Sequence, residues 1–191
     1  MILGLTGPAG SGKSTVSNII KNNFDKTYVI DVDRVGHDVL TLSFVQDKLK
    51  DTFGSSIFKN DEINRKELGK IVFKDENKLN ILNSIVHPAM FNKIETFIKK
   101  DLKNYDIIII DAALLFKIKL HTLCDKIIFV DADEKVRIKR LTQKRALTLD
   151  KALSIVQSQK NLDFGPHDIE IKNNYDDLKY IKKIIFDLIK P

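Results

Sequence analysis

The sequence predicts an α/β fold in three layers, with a five-stranded, mostly parallel sheet between two layers of helices. Five short apolar segments alternate with stretches of helical periodicity, an order typical of parallel strands joined by right-handed crossovers. Two helical stretches, about 34–105 and 134–159, are longer than a plain crossover and interrupt this alternation. We therefore predict a single domain over 1–191, with a core of about 1–33, 106–133 and 160–191.

The first strand leads directly into a phosphate-binding motif. The apolar segment 2–6 is followed by Gly7-Pro8-Ala9-Gly10-Ser11-Gly12-Lys13-Ser14, which satisfies G-x-x-x-x-G-K-[ST] at every fixed position. Its glycines let the backbone approach a phosphate closely, and successive N–H groups at a helix N-terminus attract negative charge. A glycine-rich turn with a chance lysine is the alternative. The complete motif between a strand and a helix favours a nucleoside triphosphate site.

The residue types of the motif indicate how a triphosphate is held. Lys13 carries a mobile charge for the β- and γ-phosphates, and the Ser14 hydroxyl is a ligand suited to Mg²⁺. The residues expected to bind the triphosphate are Gly10, Ser11, Gly12, Lys13, Ser14 and Thr15.

Composition limits the class of protein. Apolar residues at 43% and charged residues at 30% are ordinary for a soluble globular protein. The formal charge of +6 is spread among 26 acidic residues, which favours phosphorylated small molecules over nucleic acid as partners. With a single cysteine, Cys124, no apparent signal peptide and no apolar run of membrane length, we expect a cytoplasmic protein without a membrane partner.

Carboxylates follow the predicted strands at the sheet edge where α/β proteins bind ligands. Asp33 lies two residues beyond the second strand, so it is either a general base or Mg²⁺-water orienter, or the N-cap of a helix beginning at Arg34. Asp31 next to it can serve in either role. Asp111 closes the isoleucine-rich strand and is either a magnesium ligand through water or an ordinary strand-end aspartate.

The long helical stretch shows no convincing strand and is expected to bind an acceptor. Arg65 can grip an acceptor phosphate bidentately, and a surface arginine is the alternative. Pro88 is expected to end or kink a helix at His87, which is more typical of a buried, hydrogen-bonded histidine than of a ligand contact.

The second helical stretch is basic and broken in the middle. Arg140, Lys144 and Arg145 are spaced to neutralise charge on a transferring phosphoryl group beneath a lid, or else form a solvated basic face. Thr148 is the expected N-cap of the second half. Since no Asn-Lys-x-Asp segment follows a strand, a GTPase is disfavoured. A small P-loop kinase with a helical acceptor-binding insertion and a helical lid accounts for both interruptions.

Further motifs occur at characteristic spacings along almost the whole chain. They are Leu5-Thr6-Gly7 through Ser14-Thr15, Val29-Ile30-Asp31-Val32-Asp33, Phe53-Gly54, Asn64-Arg65-Lys66-Glu67-Leu68-Gly69, Val72-Phe73, His87-Pro88, Leu114-Leu115-Phe116, Val130-Asp131, Arg140-Leu141, Gln159, and Ile171 with Asn173-Asn174. In this combination the chain resembles the dephospho-coenzyme A (dephospho-CoA) kinase family. It departs from the family pattern at Ala113, Lys117, Lys144 and Tyr175.

The resemblance implies transfer of the ATP γ-phosphoryl group to the ribose 3′-hydroxyl of dephospho-CoA, with ATP and Mg²⁺ as cofactors. It implies catalytic roles for Asp33, Lys13 and Arg140, with Arg140 also at the ATP. It places the acceptor near Asp33, Arg65 and His87, and the adenine near Asn174, for which the residues alone suggest only a turn. The alternatives are another small-molecule or nucleoside monophosphate kinase on the same fold, or a nucleotide-dependent regulatory module.

Overall fold

A computed structural model of the protein describes residues 1–144, 146–175 and 177–189. The chain forms two compact units, one of Met1–Ile30 with Leu102–Pro191 and one of Asp31–Asp101. Arg145, one of the three predicted lid cations, lies outside the described residues.

The described elements follow one another in this order. The strands are β1 (Ile2–Thr6), β2 (Thr27–Asp31), β3 (Phe58–Lys59), β4 (Glu62–Ile63), β5 (Ile107–Asp111), β6 (Lys126–Asp131) and β7 (Ile169–Lys172). The helices are α1 (Lys13–Asn23), α2 (Val32–Val39), α3 (Ser43–Phe53), α4 (Arg65–Val72), α5 (Glu76–Asp101), α6 (Glu134–Lys144), α7 (Leu149–Ser158) and α8 (Leu178–Ile189). Short 3₁₀ helices cover Ser55–Ile57 and Leu120–Leu123.

The first unit is built on a five-stranded sheet of order β2-β5-β1-β6-β7. β1 lies in the middle and pairs in parallel with β5 and β6, and β6 pairs in parallel with β7. Leu3 and Leu5 of β1 are fully buried, as expected for a strand covered on both faces. The predicted α/β fold with a five-stranded sheet is confirmed, and the segment that follows β1 leaves the sheet at its centre.

Two terminal elements of the first unit share the main core. α1 contributes Val16, Ile19 and Ile20, whose spacing puts them on one helix face. α8 adds Ile181 and Ile185, which are buried in the same core. α1 is therefore held by apolar packing, which keeps its N-terminus directly after the loop that follows β1.

The second helical stretch forms the pair α6 and α7. Leu141 of α6 packs with Ala152 and Val156 of α7 in a separate small core. Thr148 caps α7, since its side chain accepts a hydrogen bond from the Lys151 amide at 3.4 Å, which confirms the predicted cap.

The second unit contains α2 to α5 and one feature that the sequence pattern did not predict. β3 and β4 form a short antiparallel hairpin, although no strand was expected there. Its turn residues Asn60 and Asp61 have φ of 52° and 61°, a region that these residue types enter more readily than most. Two-residue strands are too short to show any alternation, so hydrophobic periodicity gave no signal.

Pro88 was predicted to end or kink a helix. The predicted helix end is wrong, because α5 continues through this residue. A proline inside a helix removes one backbone donor and crowds the preceding turn. Here Ala89, Met90 and Ile94 are buried next to it, and α5 packs against α2, α3 and α4 within the same unit. This packing offsets the local cost of the proline.

Candidate functional site

The phosphate-binding motif folds into a tight loop between β1 and α1. Gly7 and Gly12 have φ of 142° and 102°, in the region that favours glycine. A Cβ on Gly7 would lie 2.0 Å from the Val130 carbonyl oxygen, and one on Gly12 would lie 2.1 Å from Asn173 Nδ2. Both positions therefore require glycine for their backbone angle and for the close approach of a neighbour.

The loop passes directly into the first turn of α1. The amides of Thr15 and Val16 donate to the Gly12 carbonyl oxygen at 2.9 and 3.2 Å, so the helix starts on the last glycine. Lys13 turns back over the loop, where its ammonium group donates to the Gly7 carbonyl oxygen at 2.8 Å. The exposed Ser14 belongs to the same first turn. The positive end of the helix dipole and the lysine charge thus lie at one place.

Arg140 of α6 lies beneath this loop, with only 8% of its surface exposed. Its Nη1 donates to the carbonyl oxygens of Gly10 and Ser11 at 3.3 and 3.2 Å. Its Nη2 donates to the Asn173 carbonyl oxygen at 2.7 Å and to Asn173 Oδ1 at 3.3 Å. The alternative of a solvated basic face is therefore wrong for Arg140, because the guanidinium is buried against the backbone of the loop.

The two asparagines after β7 have different surroundings. Asn173 is buried at 2% exposure, and its Nδ2 donates to the Ser11 carbonyl oxygen at 2.9 Å. Asn174 Oδ1 accepts from the Asp133 amide at 2.8 Å, which joins the segments after β6 and β7. Only Asn174 was predicted as a site residue, and Asn173 was not. The Asn pair itself was the only signal, and it does not reveal which member faces the loop.

Asp111 closes β5 beside the strand that leads into the loop. It is in register with Leu5 of β1, and the next amide, that of Ala112, donates to the Leu5 carbonyl oxygen at 3.0 Å. Asp111 is half-buried at the carboxyl end of the sheet. This placement agrees with the edge at which α/β sheets bind ligands.

Asp33 belongs to the second unit and does not cap α2. The cap is Asp31, whose Oδ1 accepts from the Arg34 amide at 3.1 Å, and the helix begins at Val32. The interpretation of Asp33 as an N-cap is therefore wrong. The reason is that β2 passes into α2 with no intervening loop, so Asp33 lies one residue inside the helix and is exposed.

Arg65 and His87 also belong to the second unit. Arg65 is the exposed first residue of α4, which is capped by the Asn64 side chain. His87 is half-buried in the middle of α5, so the expectation of a histidine at a helix end is wrong.

Comparisons with known proteins give one consistent result. The family model described as dephospho-CoA kinase matches residues 1–164. The dephospho-CoA kinase of Fusobacterium nucleatum is 36% identical over 187 residues, which cover 96% of this chain and 95% of that protein. That of Carboxydothermus hydrogenoformans is 40% identical over 166 residues, which cover 85% of this chain and 79% of that protein.

Solved structures agree on the fold. A protein from Thermus thermophilus is similar with a TM-score of 0.77 and 20% identity, covering 100% of this chain and 98% of that one. A dephospho-CoA kinase from Campylobacter jejuni is similar with a TM-score of 0.60 and 23% identity, covering 98% and 96% of the two chains. No helix within the described ranges is long and apolar enough to cross a membrane.

Proposed function

The chain belongs to the dephospho-CoA kinase family, and from this premise we propose that it transfers the γ-phosphoryl group of ATP to the ribose 3′-hydroxyl of dephospho-CoA. The observation that carries the proposal is the tight glycine-rich loop of residues 7–14 at the start of α1, since the N-terminus of a helix favours anions. The products are then coenzyme A and ADP, as in the last step of coenzyme A synthesis.

The loop fits the triphosphate of ATP. At Gly10 an added Cβ would lie 2.8 Å from the Arg137 carbonyl oxygen, so this position has no room for a side chain. The Lys13 ammonium group, which donates to the Gly7 carbonyl oxygen and is carried on a flexible stem, is assigned to the β- and γ-phosphates. We assign the phosphates to residues 10–15 and the adenine to the neighbourhood of Asn174.

The oxygen donors near the loop are of the kind that binds Mg²⁺. The Ser14 hydroxyl and the Asp111 carboxylate both belong to the first unit and are the hard oxygen ligands that Mg²⁺ takes together with water. Within residues 1–144, 146–175 and 177–189, no group of three or more His, Cys, Asp and Glu side chains could hold a metal ion. When bound, the ion would neutralise charge on the β- and γ-phosphates. Asp33 through water is the other proposed contact.

The acceptor is assigned to the second unit. Because Asp31 makes the capping hydrogen bond, the exposed carboxylate of Asp33 is not needed to start α2. We propose that this carboxylate accepts the proton of the 3′-hydroxyl group. The 3′-oxygen then bonds to the γ-phosphorus while the bond between the γ-phosphorus and the ADP oxygen breaks. Arg65 is assigned to an acceptor phosphate and His87 to acceptor contact.

An acceptor panel tests this function. ATP consumption is measured with dephospho-CoA, AMP, UMP or no acceptor, and the product is identified by mass spectrometry and ³¹P NMR. Among these acceptors we expect turnover only with dephospho-CoA, and we expect the product to carry a new monophosphate on its ribose 3′-oxygen. Turnover with AMP or UMP in its place would assign the chain to nucleotide phosphorylation, and ATP consumption that is independent of any acceptor would contradict the kinase assignment.

A further inference from the structure

The peptide groups of Ala9, at the crest of the phosphate loop, are held by two side chains from outside the loop. The Ala9 amide donates to Gln159 Oε1 at 2.7 Å. The Ala9 carbonyl oxygen accepts from Arg137 Nε at 3.0 Å. Arg137 Nη2 also donates to Gln159 Oε1 at 3.5 Å, which closes the three groups into one small network. Both polar backbone groups of Ala9 are thereby fixed.

These two side chains come from both helices of the second helical stretch. Arg137 lies on α6, one turn before Arg140, and Gln159 is the C-cap residue directly after α7. Burial lowers the pKa of the Arg137 guanidinium, while the negative charges of Asp131 and Glu134 oppose this effect. A guanidinium partly removed from water binds strongly to the partners it has, here the crest of the loop.

The network continues along the loop in a regular way. Arg137 binds the carbonyl oxygen of Ala9, and Arg140 binds those of Gly10 and Ser11. Three successive carbonyl groups therefore face α6. In a trans peptide the carbonyl and the following N–H point in opposite directions, and the described chain contains no cis peptide bond. The N–H groups of Gly10 and Gly12 are thus turned away from α6, while the Ser11 N–H donates to the Pro8 carbonyl oxygen at 3.2 Å.

This arrangement indicates what the two side chains do. An anion-binding loop works only when its N–H groups face the phosphates before the ligand arrives, so that binding costs no rearrangement. We propose that Arg137 and Gln159 are positioning residues that hold the crest of the phosphate loop in its triphosphate-binding shape. The proposal rests on the assignment of residues 7–14 as the phosphate site.

A purely structural role would have different consequences. The packing of α6 with α7 depends on the apolar residues Leu141, Ala152 and Val156, which do not involve Gln159. Loss of the Gln159 oxygen therefore leaves the fold intact while it frees the Ala9 peptide. We therefore expect a lower affinity for ATP and an unchanged affinity for dephospho-CoA, because only ATP binds at the loop.

Gln159→Met is the variant that tests the proposal, because it keeps the length of the side chain and removes the accepting oxygen. We expect the Kd and KM for ATP to rise about ten-fold, the scale of one lost hydrogen bond with its donor left unpaired. The KM for dephospho-CoA should stay within about two-fold and the melting temperature within a few degrees. Gln159→Glu keeps an accepting oxygen for both Ala9 and Arg137, so it should restore ATP affinity.

The matched control is Gln157→Met, since Gln157 is an exposed glutamine on the last turn of α7. It should match the parental protein in every measurement. Parental affinity for ATP in Gln159→Met would overturn the proposal, and so would a Gln159→Glu variant as impaired as Gln159→Met. An equal rise of both KM values together with a lower melting temperature would reduce Gln159 to a structural residue. A parental protein inactive on ATP and dephospho-CoA would instead contradict the proposed function.

Discussion

Arg140 and Asn173 form a buried pair in which the arginine Nη2 donates to the asparagine carbonyl oxygen at 2.7 Å. Arg140 Nη1 and the side-chain Nδ2 of Asn173 both donate to the Ser11 carbonyl oxygen, at 3.2 and 2.9 Å. Helix α6, the segment after β7 and the phosphate loop are thus joined at one carbonyl group. The contacts of Arg140 support a role in shaping the loop, in addition to the predicted role at the transferring phosphoryl group.

Two replacements of Arg140 distinguish the hydrogen bonds of its guanidinium group from its positive charge. Arg140→Ala removes donors from the buried carbonyl groups of Ser11 and Asn173 and from the partly buried one of Gly10, so we expect a loss of roughly 1–3 kcal/mol in unfolding free energy as well as a lower kcat. Arg140→Lys should recover only part of the unfolding free energy and part of kcat, because an ammonium group cannot reproduce the planar guanidinium with its several donors. Denaturant titration and steady-state kinetics on the same preparations measure the two effects. Full recovery by lysine would leave only a general electrostatic role.

The two aspartates at the start of α2 are predicted to have separate functions. Asp33→Asn removes the basicity and the negative charge of the side chain. If Asp33 is the general base, this change should lower kcat by roughly 10²–10⁴-fold and leave the Kd for ATP and the melting temperature almost unchanged. Asp31→Ala removes the cap and should cost about 1 kcal/mol of unfolding free energy. The measurements are kcat, ATP Kd and melting temperature for both variants. An Asp33→Asn variant with the parental kcat would exclude Asp33 as the base, and Asp31 would be tested in its place.

The single cysteine is predicted to be unreactive in the folded protein. Burial, and to a smaller extent the negative charge of Asp125, raise the pKa of the Cys124 thiol to about 12, and its Sγ lies 3.4 Å from the Leu120 carbonyl oxygen. Because the thiolate is the nucleophile, alkylation at pH 8 should be roughly a hundred-fold or more slower in the native protein than in urea. Because the folded pKa exceeds the unfolded value, this group stabilises the fold below about pH 9 and that contribution is lost as the pH rises towards 12. Equal alkylation rates in the native and unfolded protein would contradict the burial.

The sequence predicted those features that depend on local pattern. The strands β1, β5 and β6 contain continuous apolar runs, and Thr148 caps α7 because a threonine stands directly before a helical pattern. The phosphate loop is a contiguous motif, so the order of its residue types is sufficient to identify each of its members.

Features that depend on tertiary contacts could not be predicted in this way. Pro88 signals a helix end, yet the packing of α5 carries the helix through it. The contact between Ala9 and Gln159 joins residues 150 positions apart, so no local pattern reveals it. Which of Asp31 and Asp33 caps the helix was left open by the sequence, because it depends on the helix boundary: α2 begins two residues before Arg34, which gives the cap to Asp31.

Residues 7–14 are proposed to hold the phosphates of ATP during transfer to dephospho-CoA, and Lys13→Ala is the most direct test of this role. The matched control is Lys21→Ala, which removes a charge of the same kind from the last turn of α1. Calorimetric titration with ATP and Mg²⁺, with turnover measured on the same samples, should show binding weakened by roughly 1.5–3 kcal/mol and turnover abolished for Lys13→Ala, with Lys21→Ala close to the parental protein. Near-parental binding and turnover in Lys13→Ala would contradict the account.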